Sequence, residues 1–175
     1  MKLRLLLALN LLTNYCFSQA DSTSQMISIS RNNYKLQYPG AWSIDTSKKM
    51  GADLFVSSPS EDETDKFSEN VNVLIQDLQG LNIDLEKYKQ ITEKQITELA
   101  TDGEIIQSSI MKNATGEYFK IIYTMSQGKF KIKIVSVCVM EGDKAYLATF
   151  SSELDKYEKF RKIGEQILNS FIVTK

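Results

Sequence analysis

The chain has 175 residues, 21 basic and 22 acidic side chains, a formal net charge of −1, and no histidine. This balance lacks the strongly basic surface typical of nucleic-acid-binding proteins. Without histidine, Ser-His-Asp and Cys-His catalysis are excluded, because both use an imidazole that titrates near neutral pH. Zinc sites built from imidazoles and thiolates are not expected for the same reason, and no glycine-rich phosphate-binding motif occurs.

Residues 1–20 have the features of a cleavable export signal. Lys2 and Arg4 precede a leucine-rich run at 5–12, and residues 18–20 read Ser-Gln-Ala. This order matches the basic, apolar and cleavage regions of a secretory signal, so cleavage is predicted after Ala20. The protein is then expected in the periplasm or outside the cell, with no membrane span, because the apolar run is shorter than the ~20 residues that a span needs.

Two alternatives to cleavage after residue 20 remain open. The leader could stay attached as an anchor, or Cys16 could carry a lipid. Tyr15 argues against lipidation, because a lipoprotein signal has a small residue before the cysteine. Removal of Lys2 and Arg4 with the leader would change the net charge from −1 to −3. It would also leave Cys138 as the single cysteine, which predicts a chain without an internal disulfide. Its neighbours Val137 and Val139 predict a buried strand.

Extended segments open the rest of the chain. Residues 26–30 and 34–38 alternate apolar and polar side chains, as half-buried strands do, and shorter strands are predicted at 42–45 and 53–57. The expected organisation is a leader at 1–20, an N-terminal segment with the first strand at 21–33, and one domain at 34–175.

An acidic loop is predicted at residues 58–69, followed by a strand at 71–76. Four carboxylates lie close together in the loop: Glu61, Asp62, Glu63 and Asp65. Carboxylate oxygens can bind calcium, but the spacing lacks the glycine and distal glutamate of an EF-hand. A solvated acidic loop is the simpler interpretation, and no cofactor or metal is predicted.

A helix is predicted after the N-cap residue Asp84. Its apolar stripe contains Leu85, Tyr88, Ile91, Ile96 and Leu99. Strands are then predicted at 104–111, 117–126, 129–140 and 144–151. Short glycine-containing breaks separate them, and such breaks indicate hairpins between antiparallel strands.

The strand at 129–140 begins with one polar face and ends apolar on both faces. Lys129, Lys131 and Lys133 alternate with apolar residues, and valines then replace the lysines on the same face. A strand that is apolar on both faces is expected inside a sheet that is covered on both sides. The lysine row is either a solvated strand edge that blocks aggregation or a docking strip for an acidic partner or lipid headgroups.

A second amphipathic helix is predicted at 153–170, with Ser152 and Asp155 as its capping box. Its apolar stripe contains Tyr157, Phe160, Ile163, Ile167 and Phe171. The order of elements predicts an α+β fold, in which an antiparallel sheet of about seven strands lies between helices.

Three short motifs resemble the PsbP-like family. Residues 38–42 (YPGAW) resemble the turn that opens its fold, residues 70–73 (NVNV) its next strand, and residues 167–171 (ILNSF) the end of its last helix. The family includes a lumenal photosystem II subunit, bacterial DcrB-type envelope proteins and a Ran-binding import factor. The resemblance implies an α/β/α sandwich without a common activity, and no catalytic residue can be transferred.

These observations favour an exported, non-catalytic accessory or binding protein of the cell envelope, with an envelope or secreted protein as partner. Trp42 is expected to pack against Tyr38 and the first helix, or to contact a partner if it is exposed. One alternative is a carrier of a small apolar ligand, with a pocket formed by Phe119, Tyr123, Phe130 and Met140. The other is a carboxylate-only hydrolase that uses residues such as Asp45 and Glu104.

Overall fold

The computed structural model describes residues 25–174, so the predicted leader at 1–20 lies outside the described residues. Within that range the chain forms ten strands, two α-helices and a short 3-10 helix at Lys49–Gly51. The elements in chain order are β1 (Met26–Arg31), β2 (Tyr34–Pro39), β3 (Ser43–Asp45), β4 (Leu54–Ser57), β5 (Asn70–Asp77), α1 (Leu85–Leu99), β6 (Glu104–Asn113), β7 (Gly116–Gln127), β8 (Phe130–Glu141), β9 (Lys144–Glu153), α2 (Tyr157–Asn169) and β10 (Ile172–Val173).

Seven strands form one antiparallel sheet in the order β3-β4-β5-β9-β8-β7-β6. This architecture confirms the predicted α+β fold class. Strands β6 to β9 pair as consecutive hairpins, as the glycine-containing breaks indicated. A second sheet contains β1, β2 and β10. Its strand β10 was not predicted, because two residues are too few to show an alternating pattern.

The two helices cover opposite faces of the large sheet. In β8, Cys138 belongs to the core cluster under α1, and Val135 belongs to the cluster that includes α2. Side chains an odd number of residues apart point to opposite faces of a strand, so the two clusters lie on opposite sides. Helix α1 contacts β6 and β7, and α2 contacts β9, β5 and β2. Each helix therefore covers only part of its face.

Helix α1 begins as predicted. The Asp84 carboxylate accepts a hydrogen bond from the Lys87 amide at 2.8 Å. The predicted stripe is only partly correct, because Tyr88 and Ile96 are buried whereas Leu99 is 77% exposed. Ile91 is also exposed. Because α1 lies over only one half of the sheet, a narrower row of side chains, at positions 85, 88, 92 and 96, packs against the strands.

The predicted capping box of α2 is wrong. Ser152 lies within β9, and its hydroxyl donates to the Glu153 carbonyl at 3.0 Å. The helix begins later, at Tyr157, and the side chain of Lys156 at its N-cap makes no capping hydrogen bond. The hydrogen-bond ladder with β8, which extends to Ile132 opposite Glu153, holds residues 151–153 in the strand.

Asp53 joins the small sheet to the large one. Its carboxylate is buried and accepts hydrogen bonds from the Arg31 guanidinium at 2.7 and 3.2 Å. It also accepts from the Asn32 amide at 2.7 Å and the Tyr34 hydroxyl at 2.9 Å. All three donors lie in or beside the β1–β2 hairpin, so one acidic side chain fixes that hairpin against the start of β4.

Candidate functional site

A cleft of about 260 Å³ lies beside the C-terminal end of α2. Its floor is the valine row of β8, formed by Val135, Val137 and Val139. Leu168 and Phe171 form the wall on the side of α2, and the β6–β7 hairpin at 113–118 forms the opposite wall. Val137 and Val139 are only half-buried although they belong to a central strand. Their apolar side chains therefore remain accessible from the cleft.

The position of α2 creates this cleft. Gly164 lies so close to the sheet that a Cβ atom there would come within 2.5 Å of the Phe150 ring. Phe150 belongs to β9, so α2 is held over β9 and β5 rather than over the centre of the sheet. The neighbouring strip of β7 and β8 is therefore only partly covered by α2.

Four charged residues line the cleft: Glu117, Lys120, Glu141 and Glu165. Lys120 lies directly opposite Val137 in the β7–β8 ladder, so its side chain shares the face of the valine floor. Glu165 projects from α2 and contacts Arg161 at 3.4 Å. Leu168 and Asn169 bring the last turn of α2 to the cleft, where the helix dipole adds partial negative charge. Because Arg161 pairs with Glu165 and Lys120 shares the face of the valines, the cleft is bordered by charges of both signs.

A family model described as PsbP matches residues 25–173, which include every strand and helix described above. The chain belongs to the PsbP family. The resemblance inferred from three short motifs is thereby confirmed.

Solved structures share the fold of this PsbP-family protein at low sequence identity. Cyanobacterial PsbP from Synechocystis sp. PCC 6803 is 15% identical, with a TM-score of 0.64 over 88% of this chain and 95% of that one. PA94 of Pseudomonas aeruginosa, described as a protein of unknown function and putative regulator, is 10% identical, with a TM-score of 0.61 over 86% and 97%. LpqN of Mycobacterium tuberculosis, described as involved in cell envelope biogenesis, is 11% identical, with a TM-score of 0.61 over 86% and 91%. The comparison with curated proteins finds no match.

The lysine row of this PsbP-family chain does not lie at a sheet edge. Strand β8 is internal, between β9 and β7, so the interpretation of a protective edge is wrong. Lys129 lies exposed in the β7–β8 turn, and Lys131 is exposed on the sheet face. The ammonium of Lys133 lies 4.0 Å from the centre of the Tyr157 ring, where a cation–π contact fixes it beside the first turn of α2. A docking role for the row stays a prediction.

Trp42 is a core residue with 9% of its surface exposed. Its ring packs edge-on against Phe160, with the ring centres 6.5 Å apart. The helix beside it is α2 and not α1 as predicted, because α1 covers the opposite face of the sheet. Its buried ring helps to fix α2 and leaves little surface for a partner.

Ion pairs with Lys156 and Lys159 hold the acidic loop at 58–69 against the start of α2. Lys156 contacts Asp65 at 2.8 Å, Glu153 at 3.1 Å and Glu61 at 3.8 Å. Its hydrogen bond lowers the pKa of Asp65 below the ordinary range. Lys159 also pairs with Glu61. A protein ammonium therefore occupies the centre of this cluster.

Asp62 and Glu63, the other two of the four clustered carboxylates, face solvent. Asp62 accepts hydrogen bonds from the amide and hydroxyl of Thr64 at 2.7 and 2.6 Å, and Glu63 is exposed. Among residues 25–174, no three acidic or thiol side chains are grouped as metal ligands would be. The alternative of a calcium site in this loop receives no supporting geometry among these residues.

The four residues predicted to line an apolar pocket do not surround one cavity. Phe119 is fully buried against Tyr88, and Phe130 packs against Phe67 with ring centres 5.4 Å apart. Tyr123 also belongs to the core cluster under α1, where burial raises its pKa. Met140 is the member of the four that lines the cleft. The three aromatic side chains pack against other residues, so they do not share a cavity with Met140.

The two carboxylates proposed for hydrolysis lie at opposite edges of the sheet. Asp45 belongs to β3 and Glu104 to β6, the first and last strands in the order. Six strand spacings of about 4.8 Å separate them by roughly 29 Å. Paired glycosidase carboxylates lie about 5–10 Å apart. These two residues therefore do not form a catalytic pair.

Cys138 has the environment of an inert thiol. It is fully buried on the α1 side of β8, and this burial raises its pKa to about 12. A thiol reacts as its thiolate, so both access and ionisation oppose its reaction.

We expect the folded protein to leave Cys138 unmodified by a thiol reagent such as dithionitrobenzoate at pH 8. In urea, one thiol per chain of the exported form should react with the reagent. Two thiols would mean that Cys16 and the leader are still present. Rapid reaction of the folded protein would contradict the burial of Cys138.

Proposed function

We propose that this PsbP-family protein is an exported binding protein of the cell envelope that acts without catalysis and holds its partner at the cleft beside α2. The observation that carries the proposal is that Val137 and Val139, on the floor of the cleft, are only half-buried although their strand is central in the sheet. Accessible apolar surface on a central strand costs stability unless a partner covers it. Charged side chains of both signs around the cleft add a means of selecting that partner.

Export is supported by the features of the leader at 1–20. Among residues 25–174, no helix is long and apolar enough to cross a membrane. The description of LpqN as a protein of cell envelope biogenesis is consistent with this location. The lack of histidine and the separation of Asp45 from Glu104 support a non-catalytic role.

A carrier of a small apolar ligand is the second candidate, and the mixed lining of the cleft favours it. Its size lies just below the ~300–1,000 Å³ of common small-molecule sites, and its lining combines apolar and charged groups as such sites do. The two candidates share one site and differ in the size of the occupant.

A photocrosslinking experiment tests the proposal. The full chain is expressed in a bacterial host with benzoylphenylalanine at position 118, where Tyr118 lines the cleft, or at position 99, where Leu99 lies exposed at the end of α1. We expect an exported product that begins after Ala20, and adducts with envelope material from position 118 but not from position 99. Retention of the full chain in the cytosol, or equal labelling from both positions, would overturn the proposal.

A further inference from the structure

We infer that the chain pairs with a second copy of itself through β6, so that two large sheets join edge to edge in a dimer with two-fold symmetry. The inference goes beyond the proposed function, because it concerns the edge of the sheet and not the face that carries the cleft.

Strand β6 is the long open edge of the large sheet. It has ten residues, whereas β3 at the opposite edge has three, and among the described residues its single neighbour is β7. Between Glu104 and Lys112, residues 105–111 read Ile-Ile-Gln-Ser-Ser-Ile-Met, without a charge or a proline. Soluble proteins usually protect a long edge with charges, prolines or a covering element, so an open apolar edge indicates a pairing site. The bulge at Ile106 affects only the first part of the strand, and pairing with β7 is regular from residue 107 onward.

The β6–β7 hairpin determines which backbone groups of β6 point outward. A turn of two residues joins the strands, so the closing pair of Asn113 and Gly116 exchanges two hydrogen bonds. Hydrogen-bonded and non-hydrogen-bonded pairs alternate along an antiparallel ladder. The amide and carbonyl groups of Ser108, Ile110 and Lys112 therefore point away from β7 and toward the open edge.

These outward groups match those of an identical strand. When Ile110 lies opposite Ile110 of the second copy, Ser108 lies opposite Lys112 of the second copy, and the reverse pair forms as well. Each of these pairs can exchange two backbone hydrogen bonds. The two lysines do not meet, and each lies opposite Glu117 in its own chain. The pairing is closed, because each copy uses its one long edge.

The same register also covers exposed apolar surface. Ile106 is 54% exposed at the bulge. In the dimer it would lie beside the hairpin turn of the second copy, which begins at Ala114. An extended segment of an unrelated protein would not provide this reciprocal contact, so the arrangement favours a second copy.

The position of α1 leaves room for the second copy. At the level of Ile110, Tyr88 of α1 packs on Phe119 of β7, with the ring centres 6.5 Å apart. The Tyr88 hydroxyl also donates to the side chain of Gln76, in the central strand β5. The first turns of α1 therefore lie over the interior of the sheet, and the two copies of this helix end would not meet at the two-fold axis.

Sedimentation velocity of the exported form at increasing concentration tests the inference. A single strand pair makes a smaller interface than that of a standard stable complex, so we expect a dissociation constant of about 10–100 µM. The protein should sediment as a monomer well below this range and as a dimer well above it.

Charges placed at the two-fold axis test the register. Ile110→Lys and Ile110→Glu each bring like charges together across the axis and should weaken the dimer at least tenfold. An equimolar mixture of the two variants should restore the dimer, because opposite charges then meet. The control Ile44→Lys adds the same charge at an exposed isoleucine of β3, the other edge, and should leave the dimer unchanged. Circular dichroism confirms that each variant is folded.

A proline substitution tests the backbone hydrogen bonds separately from the side chains. Ser108→Pro removes an amide that points toward the second copy and no amide that bonds to β7, so the monomer should keep its fold. The dimer loses two hydrogen bonds, one from each copy, and should weaken at least tenfold.

Three outcomes would overturn the inference: a monomer at about 300 µM, equal loss of the dimer in Ile44→Lys and the Ile110 variants, or no recovery in the mixture. Crosslinking from position 118 reports on the cleft and is independent of these results. A monomer that still gives those adducts leaves the proposed function intact, whereas a dimer without them supports the inference and counts against the proposed function.

Discussion

Replacement of Asp53 by asparagine should lower the free energy of unfolding by about 3 kcal/mol at pH 7. The substitution leaves the Arg31 guanidinium without its counter-charge and places an amide donor among three existing donors. Removal of one partner from a buried ion pair costs about 3–5 kcal/mol, and the lower end applies because a quarter of the Arg31 side chain is exposed. Urea denaturation followed by Trp42 fluorescence measures the loss.

The matched control for this substitution is Asp155→Asn. Asp155 is an exposed acid in the turn before α2, and its change should stay within about 0.5 kcal/mol. Equal effects at positions 53 and 155 would contradict the structural role of Asp53.

The contribution of Asp53 should also depend on pH. Burial opposes the charged carboxylate, but the hydrogen bonds from Arg31, Asn32 and Tyr34 outweigh it and lower the pKa of Asp53 below its ordinary value. The unfolded chain therefore takes up the proton first as the pH falls. The stability that Asp53 provides is complete above its unfolded pKa of about 3.9. It is lost as the pH falls through the lower pKa of the folded state, so wild type and Asp53→Asn should converge in acid.

Gly164→Ala should lower the free energy of unfolding by about 2 kcal/mol, although alanine is the better helix former by about 1 kcal/mol. The new methyl group would lie 2.5 Å from two atoms of the Phe150 ring, which is fully buried. Either α2 or the ring has to shift. Chemical denaturation of the variant measures the net effect.

Gln166→Ala is the control on the same helix, because Gln166 is exposed and its change should stay within about 0.5 kcal/mol. Phe150→Leu combined with Gly164→Ala should cost less than the sum of the two single changes, since the smaller side chain leaves room for the methyl group. A more stable Gly164→Ala variant would show that α2 does not approach β9 as closely as described.

The substitutions Gly164→Ala and Phe150→Leu both alter the contact between α2 and β9 that leaves the cleft open. Gly164 allows α2 to lie directly on β9, and Trp42 packs on the same helix from the side of β2. A helix displaced toward β8 would cover the valine floor. The close contact between Gly164 and Phe150 therefore both stabilises the fold and leaves the cleft open.

Local signals along the chain predicted most elements well. The glycine-containing breaks marked three hairpins, and Asp84 marked the start of α1. The helix start at Ser152 was wrong because pairing with β8 extends β9 beyond the serine, and such pairing between separate strands leaves no local signal. The lysine row was assigned to a sheet edge because the sequence of one strand does not indicate which strands pair with it.

The candidate site was only partly visible in the sequence. The valine row of β8 showed that both faces of the strand are apolar, which is the signal that could have located the cleft. It did not show that the cover over one face is incomplete. The incomplete cover depends on the contact between Gly164 and Phe150. These residues lie on different elements, and their spacing along the chain does not indicate that they touch.

The sequence by itself determined the fold class, the family, the expectation of export and the absence of imidazole chemistry, because these depend on composition, local periodicity and short motifs. Only the tertiary structure decided which face each helix covers, that Lys156 lies among the acids of the loop, and where apolar surface remains open. The physical reason is that local hydrogen bonding and side-chain alternation set the elements. The fit of particular side chains between distant elements sets how they pack, and therefore where a binding site is left.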